Sequence, residues 1–117
     1  MFPFRQLGDW LIRRGGPGGA FTAGLNNMDK GKFSIAAEAF QDAERLYTEQ
    51  FGASHPRVAE AIAYRAWCYA KSNREADAVE LYRKAIELES KRPDRRGDRL
   101  QQLVQQLAWA RSKMTNG

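Results

Sequence analysis

Apolar residues recur along this chain at three- and four-residue spacing, the period of helices packed along one face. In Lys32 to about Gln50 the face is Phe33, Ala36, Ala37, Phe40, Ala43, Leu46 and Tyr47. In Arg74 to about Lys91 it is Ala78, Leu81, Tyr82, Ala85 and Leu88. Between them Pro56 suits a first helical turn, where its missing N–H loses nothing, and that helix runs to about Lys71 before a Ser72-Asn73 turn. Asp98 and Gln101 have capping-box spacing and open a last helix to about Met114, carrying Leu100, Leu103, Val104, Leu107 and Ala108. Ala20 to about Met28 reads as a short helix ended by Asn26, Asn27, Asp29 and Gly31. Phe4, Leu7 and Leu11, with Trp10 alongside, make residues 1–14 a short amphipathic helix that Gly8 weakens. Gly15-Gly16-Pro17-Gly18-Gly19 then forms a flexible hinge. No sustained alternation signals a strand, so the predicted class is all-α.

The helical faces repeat with a period of 42 residues. Ala36, Phe40, Ala43 and Leu46 stand against Ala78, Tyr82, Ala85 and Leu88, and Val58, Ile62, Ala66 and Trp67 against Leu100, Val104, Ala108 and Trp109. Periods of this length signify stacked supersecondary units.

Gly24, Gly31, Phe33, Ala36, Phe40 and Ala43, then Ala66, Tyr69, Ala78, Tyr82 and Ala85, resemble the small and aromatic positions of tetratricopeptide repeats. The spacing of 42, with Phe51-Gly52 before His55-Pro56 and Val58-Ala59, resembles the longer repeat of kinesin light chains. Two departures are Arg65, where the family usually has leucine, and Asn73, where the turn usually has glycine. The resemblance implies a right-handed helical-hairpin solenoid of about two and a half repeats over residues 20–114, preceded by the amphipathic helix and followed by a tail at 115–117. It also implies a concave groove, lined by the leading helix of each hairpin, that receives a peptide or helix. Mapped here, the groove residues are Phe21, Leu25, Met28, Tyr64, Trp67, Lys71, Gln105 and Trp109. Phe21 and Leu25 stand where a carboxylate clamp would begin, which disfavours chaperone-tail binding.

Charge and composition narrow the class without naming a partner. Hydrophobic content of 43% and charged content of 28% fit a globular chain, and no apolar run approaches a bilayer span. Net charge is +5, made of +2 over residues 1–28, −2 over 29–60, zero over 61–90 and +5 over 91–117. Lys91, Arg92, Arg95, Arg96 and Arg99 form the densest basic patch, partly neutralised by Asp94 and Asp98. Nucleic-acid binding would want interleaved aromatics, and none lies between 83 and 108. A lone Cys68 excludes an intramolecular disulfide framework and leads to a cytoplasmic expectation.

Catalytic chemistry finds little footing. His55 is the single histidine, Cys68 has no histidine at helical spacing, and one of each cannot make a zinc site. The glycines at 15–19 lack the lysine of a phosphate loop. The expectation is therefore a non-catalytic protein-interaction adaptor or scaffold, without cofactor or metal. Trp67 and Trp109 are read either as an exposed ladder for an amphipathic helix or as ordinary inter-helix core. Phe4, Leu7, Trp10 and Leu11 would dock in the groove, in a second copy or on a partner; Asp9 and Pro3 argue against a membrane or targeting role. The alternative function is a small basic module for anionic membrane or nucleic acid, using Arg13, Arg14 and the 91–99 patch.

Overall fold

The computed structural model describes residues 4–92 and 97–116, with side chains from Gly15 to Arg92 and from Gly97 to Met114. Five helices follow in order among them: α1 (Phe4–Asp29), α2 (Phe33–Phe51), α3 (Pro56–Lys71), α4 (Glu75–Ser90) and α5 (Gly97–Asn116). Each packs mainly on the next in sequence, which makes two helical hairpins and a final helix.

The glycine-rich stretch departs from the expected five-residue hinge. Only Gly16 leaves helical geometry, at φ 69 and ψ −172, and the helix resumes at Pro17. Proline disfavours helical backbone in the residue before it yet suits a first turn itself, so the break falls on one glycine. The leading helix of the first hairpin thus begins before Ala20, which with Phe21 is buried and anchors the turn. Phe4, Leu7, Trp10 and Leu11 lie on helical backbone, but their side chains fall outside the described residues. Gly97 opens α5, so Asp98 sits inside the first turn rather than at the cap, its charge favourable to the helix dipole.

The 42-residue period is written into the turns. After α1, Lys32 N–H donates to Asn27 C=O at 2.9 Å and Gly31 N–H to Met28 C=O at 3.0 Å, a Schellman closure with Gly31 at φ 75. After α3, Arg74 N–H donates to Tyr69 C=O at 2.8 Å around Asn73 at φ 62. Asparagine is the side chain best able to stand in for glycine in this left-handed conformation. At α3 His55 caps the helix, its Nδ1 accepting from Arg57 N–H at 3.1 Å.

Two apolar clusters meet on α3. One face of α3, through Ala61 and Cys68, joins Phe21, Phe40 and Leu46 of α1 and α2. The other, through Val58, Ile62 and Ala66, joins Val79 and Tyr82 of α4 and Leu103 and Ala110 of α5. Alanines let the backbones approach, and the large side chains supply the burial, about 1.5–3 kcal/mol for each aliphatic or phenylalanine side chain fully removed from water. Between the hairpins Glu44 of α2 pairs with Arg65 of α3 and Lys84 of α4, each at 3.2 Å. Arg65 is accommodated at a leucine position by that carboxylate.

Candidate functional site: a concave groove between α1, α3 and α5

Helical spacing places Ala59, Ala63, Tyr64 and Trp67 of α3 on one surface, opposite Gln102, Leu103 and Gln106 of α5. With Met28 of α1 they line a cavity of about 560 Å³. Its floor is apolar and its α5 wall carries two amides able to donate and accept. A neighbouring depression of about 600 Å³, lined by Trp67, Lys71, Gln102, Gln105, Gln106 and Trp109, continues it towards the C-terminal end of α3.

Trp67 and Trp109 are half-buried and stacked on each other, centroids 4.9 Å apart and planes at 23°. Their arrangement is neither a spaced ladder nor closed core. The Lys71 ammonium sits 4.9 Å from the Trp67 ring and 5.9 Å from Trp109, and Lys113 sits 5.1 Å from Trp109. Lys113 also donates to Ala70 C=O at 3.0 Å, satisfying an end carbonyl of α3 and tying α5 to it.

The opposite end of the groove is an ion-pair cluster. Glu89 is fully buried and accepts from Arg92 Nη1 through both oxygens, at 3.1 and 3.0 Å. Glu60 pairs with Arg57 at 2.8 Å and with Arg99. A hidden carboxylate such as Glu89 is tolerated only with this kind of compensation. Its single sequence signal is Arg92 three residues on.

The expected groove residues separate into two groups. Met28, Tyr64 and Trp67 meet in the apolar cavity, and Trp67, Lys71, Gln105 and Trp109 meet in the depression beside it. Phe21 does not line it. It is 5 % exposed, with Phe40 and Tyr64 edge-on at 5.5 and 5.6 Å and the Arg57 guanidinium 4.6 Å above its ring. Edge-to-face packing on three helices makes Phe21 a core residue that holds Tyr64 in place. Leu25 is likewise half-buried against that core. Gln102, Glu89 and Leu103 line the cavity beyond the expected set.

The described members of the basic patch are each paired with a carboxylate. Lys91 pairs with Glu87 at 2.9 Å, Arg92 with Glu89 and Arg99 with Glu60, while Arg95 and Arg96 lie outside the described residues. Arg13 and Arg14 side chains lie outside them too. Cys68 is buried, and burial pushes its thiol up to about 11, which leaves it protonated at neutral pH. Tyr82, also buried, has its hydroxyl pushed up by desolvation and by the neighbouring Cys68. No group of three or more His, Cys, Asp or Glu suited to a metal ion occurs among the described residues. None of the described helices is long and apolar enough to cross a membrane.

The family model described as tetratricopeptide repeat matches residues 20–90, the two hairpins from the start of the buried part of α1 to the end of α4. No curated protein matches the chain.

Proposed function

The chain belongs to the tetratricopeptide repeat family, whose repeats generally mediate protein–protein interaction, and we propose that it is a non-catalytic adaptor receiving a peptide or amphipathic helix in the α1–α3–α5 groove. The observation that carries this reading is the half-buried Trp67–Trp109 stack, continuous with a cavity floored by Met28, Ala63 and Leu103. Packed aromatic anchors beside a pocket are where interface energy concentrates. An apolar side chain of the partner fills the cavity, while Gln102 and Gln106 bind polar atoms of its backbone. Lys71 faces the partner's acidic or carbonyl groups at the Trp end.

Displayed libraries of amphipathic peptides, selected against the intact protein, supply the probe. Binding of a selected peptide, read by fluorescence anisotropy, should fall about tenfold or more with Ala63→Arg, which fills the cavity. It should persist in high salt, because burial of apolar surface is not screened. Peptides indifferent to Ala63→Arg and released by salt would instead place binding on a charged surface.

A further inference from the structure

With the α1–α3–α5 groove as the binding face, a reading on which this one rests, we propose that the helix received there is acidic at one defined place. It carries a glutamate or aspartate two turns from the apolar side chain that fills the cavity, and that carboxylate pairs with Lys71 beside the tryptophan stack. Lys71 closes α3 and is exposed. Its ammonium lies 4.9 Å from the Trp67 ring and 5.9 Å from Trp109, so the charge is held over the stacked indoles.

Charge along the groove is balanced except at this point. Arg57 and Arg99 pair with Glu60, Arg92 pairs with Glu89, and Lys113 reaches Glu75 at 4.0 Å. Lys71 alone of these five cations has no carboxylate within 4.0 Å among the described residues. A second ammonium, that of Lys113, stands 5.1 Å from the same Trp109 ring, and Glu75 offsets it only at the limit of ion-pair distance. The tryptophan end of the groove is therefore positive, while its opposite end is neutralised. A lysine or arginine of the partner placed here would face a like charge fixed on the stack, which selects against it.

Gln102, Gln105 and Gln106 border the same depression. Their amides can donate to a carboxylate beside the ammonium, and hydrogen bonds to an ionised acceptor are the stronger kind. Interior carbonyls of a bound helix are taken by its own hydrogen bonds, which leaves a side chain to supply the anion. The spacing follows from α3. Ala63 on the cavity floor and Lys71 are eight residues apart, about 12 Å along the helix axis. A partner helix lying along α3 covers that length in about two turns, and positions i and i+7 share one face. An apolar anchor and a carboxylate at that spacing enter the groove together.

Two sets of displayed amphipathic helices, alike except for a glutamate or a lysine fixed seven residues before or after a leucine, are selected against the intact protein. Recovered peptides are made with amidated C-termini, so that no terminal carboxylate contributes, and binding is read by fluorescence anisotropy. The wild-type protein should bind the glutamate peptides about fivefold more tightly than the same peptides with lysine in that place. Lys71→Gln should bring the two affinities together, and Lys71→Glu should invert their order. Lys71 is exposed, and unchanged thermal melts verify each variant; should Lys71→Glu disturb the stack, Lys71→Gln must still erase the preference. Equal affinity for both peptides, or a glutamate preference that survives Lys71→Gln, would overturn the proposal and leave the groove reading standing wherever Ala63→Arg still abolishes binding. Binders indifferent to Ala63→Arg, or none from either set, would remove the groove reading and this one with it.

Discussion

Gly24→Ala gives the packing of the first hairpin a test of sign. In an ordinary helix interior, alanine for glycine stabilises by roughly 0.5–1 kcal/mol. Here a Cβ on Gly24 would lie 2.6, 2.7 and 2.8 Å from three carbons of the Phe40 ring. The ring cannot swing aside: Phe40 is fully buried, stacked on Tyr64 at 5.2 Å and met edge-on by Phe21 at 5.5 Å. Overpacking of this kind costs typically 1–3 kcal/mol, which outweighs the propensity gain and leaves a net loss of about 1–2 kcal/mol. For a domain near this size that is a fall in Tm of roughly 5–10 °C. Gly19→Ala is the control, because a Cβ there meets nothing within 4 Å and α1 is helical at that point. Thermal and urea unfolding followed by far-UV circular dichroism should move the two variants in opposite directions. Equal stabilisation of both would refute the claimed contact between α1 and α2.

Asn73→Gly should raise stability by up to about 1 kcal/mol in urea unfolding, because Asn73 occupies the left-handed region at φ 62. Glu44→Ala should lose about 2–3 kcal/mol by stranding the buried Arg65, a reduced figure because both side chains keep some solvent contact, and adding Arg65→Leu should recover most of it. Stability should be flat from neutral pH to about 9 and then decline towards about 11. The sign follows from Cys68: its folded thiol titrates near 11 against 9.0 ordinarily, so within that window the unfolded state has released a proton that the folded state retains. Tyr82 adds to the same decline above pH 10, and replacing Cys68 with alanine should flatten the lower part of the curve.

The helices were legible in the sequence where a terminating residue coincides with the end of a face. Pro56 and the Ser72-Asn73 turn bracket α3, and the structure has it over Pro56–Lys71. Around Gly15–Gly19 composition misleads, because four glycines suggest a loop while Pro17 concentrates the break on its predecessor. Periodicity could place Trp67 and Trp109 on equivalent positions of successive helices, but not say that the rings meet at 4.9 Å. It also could not tell Phe21, turned into the aromatic core, from Met28, two turns further along the same face and on the cavity wall. Least legible were ion pairs between helices, Glu44 with Lys84 and Glu60 with Arg99, since charges distant in sequence carry no local pattern. The Glu60–Arg99 pair, with the local pairs Glu87–Lys91 and Glu89–Arg92, took three cations out of the basic patch and gave the groove a neutralised end.

The groove reading is tested most directly by photo-cross-linking a selected amphipathic peptide to protein carrying a benzophenone side chain at one of two glutamines. Gln106 lines the apolar cavity, whereas Gln41 is exposed on α2 away from it. The account predicts capture from Gln106 and none from Gln41, with capture lost on Ala63→Arg. Capture from Gln41 alone, or capture from Gln106 unaffected by Ala63→Arg, would contradict it.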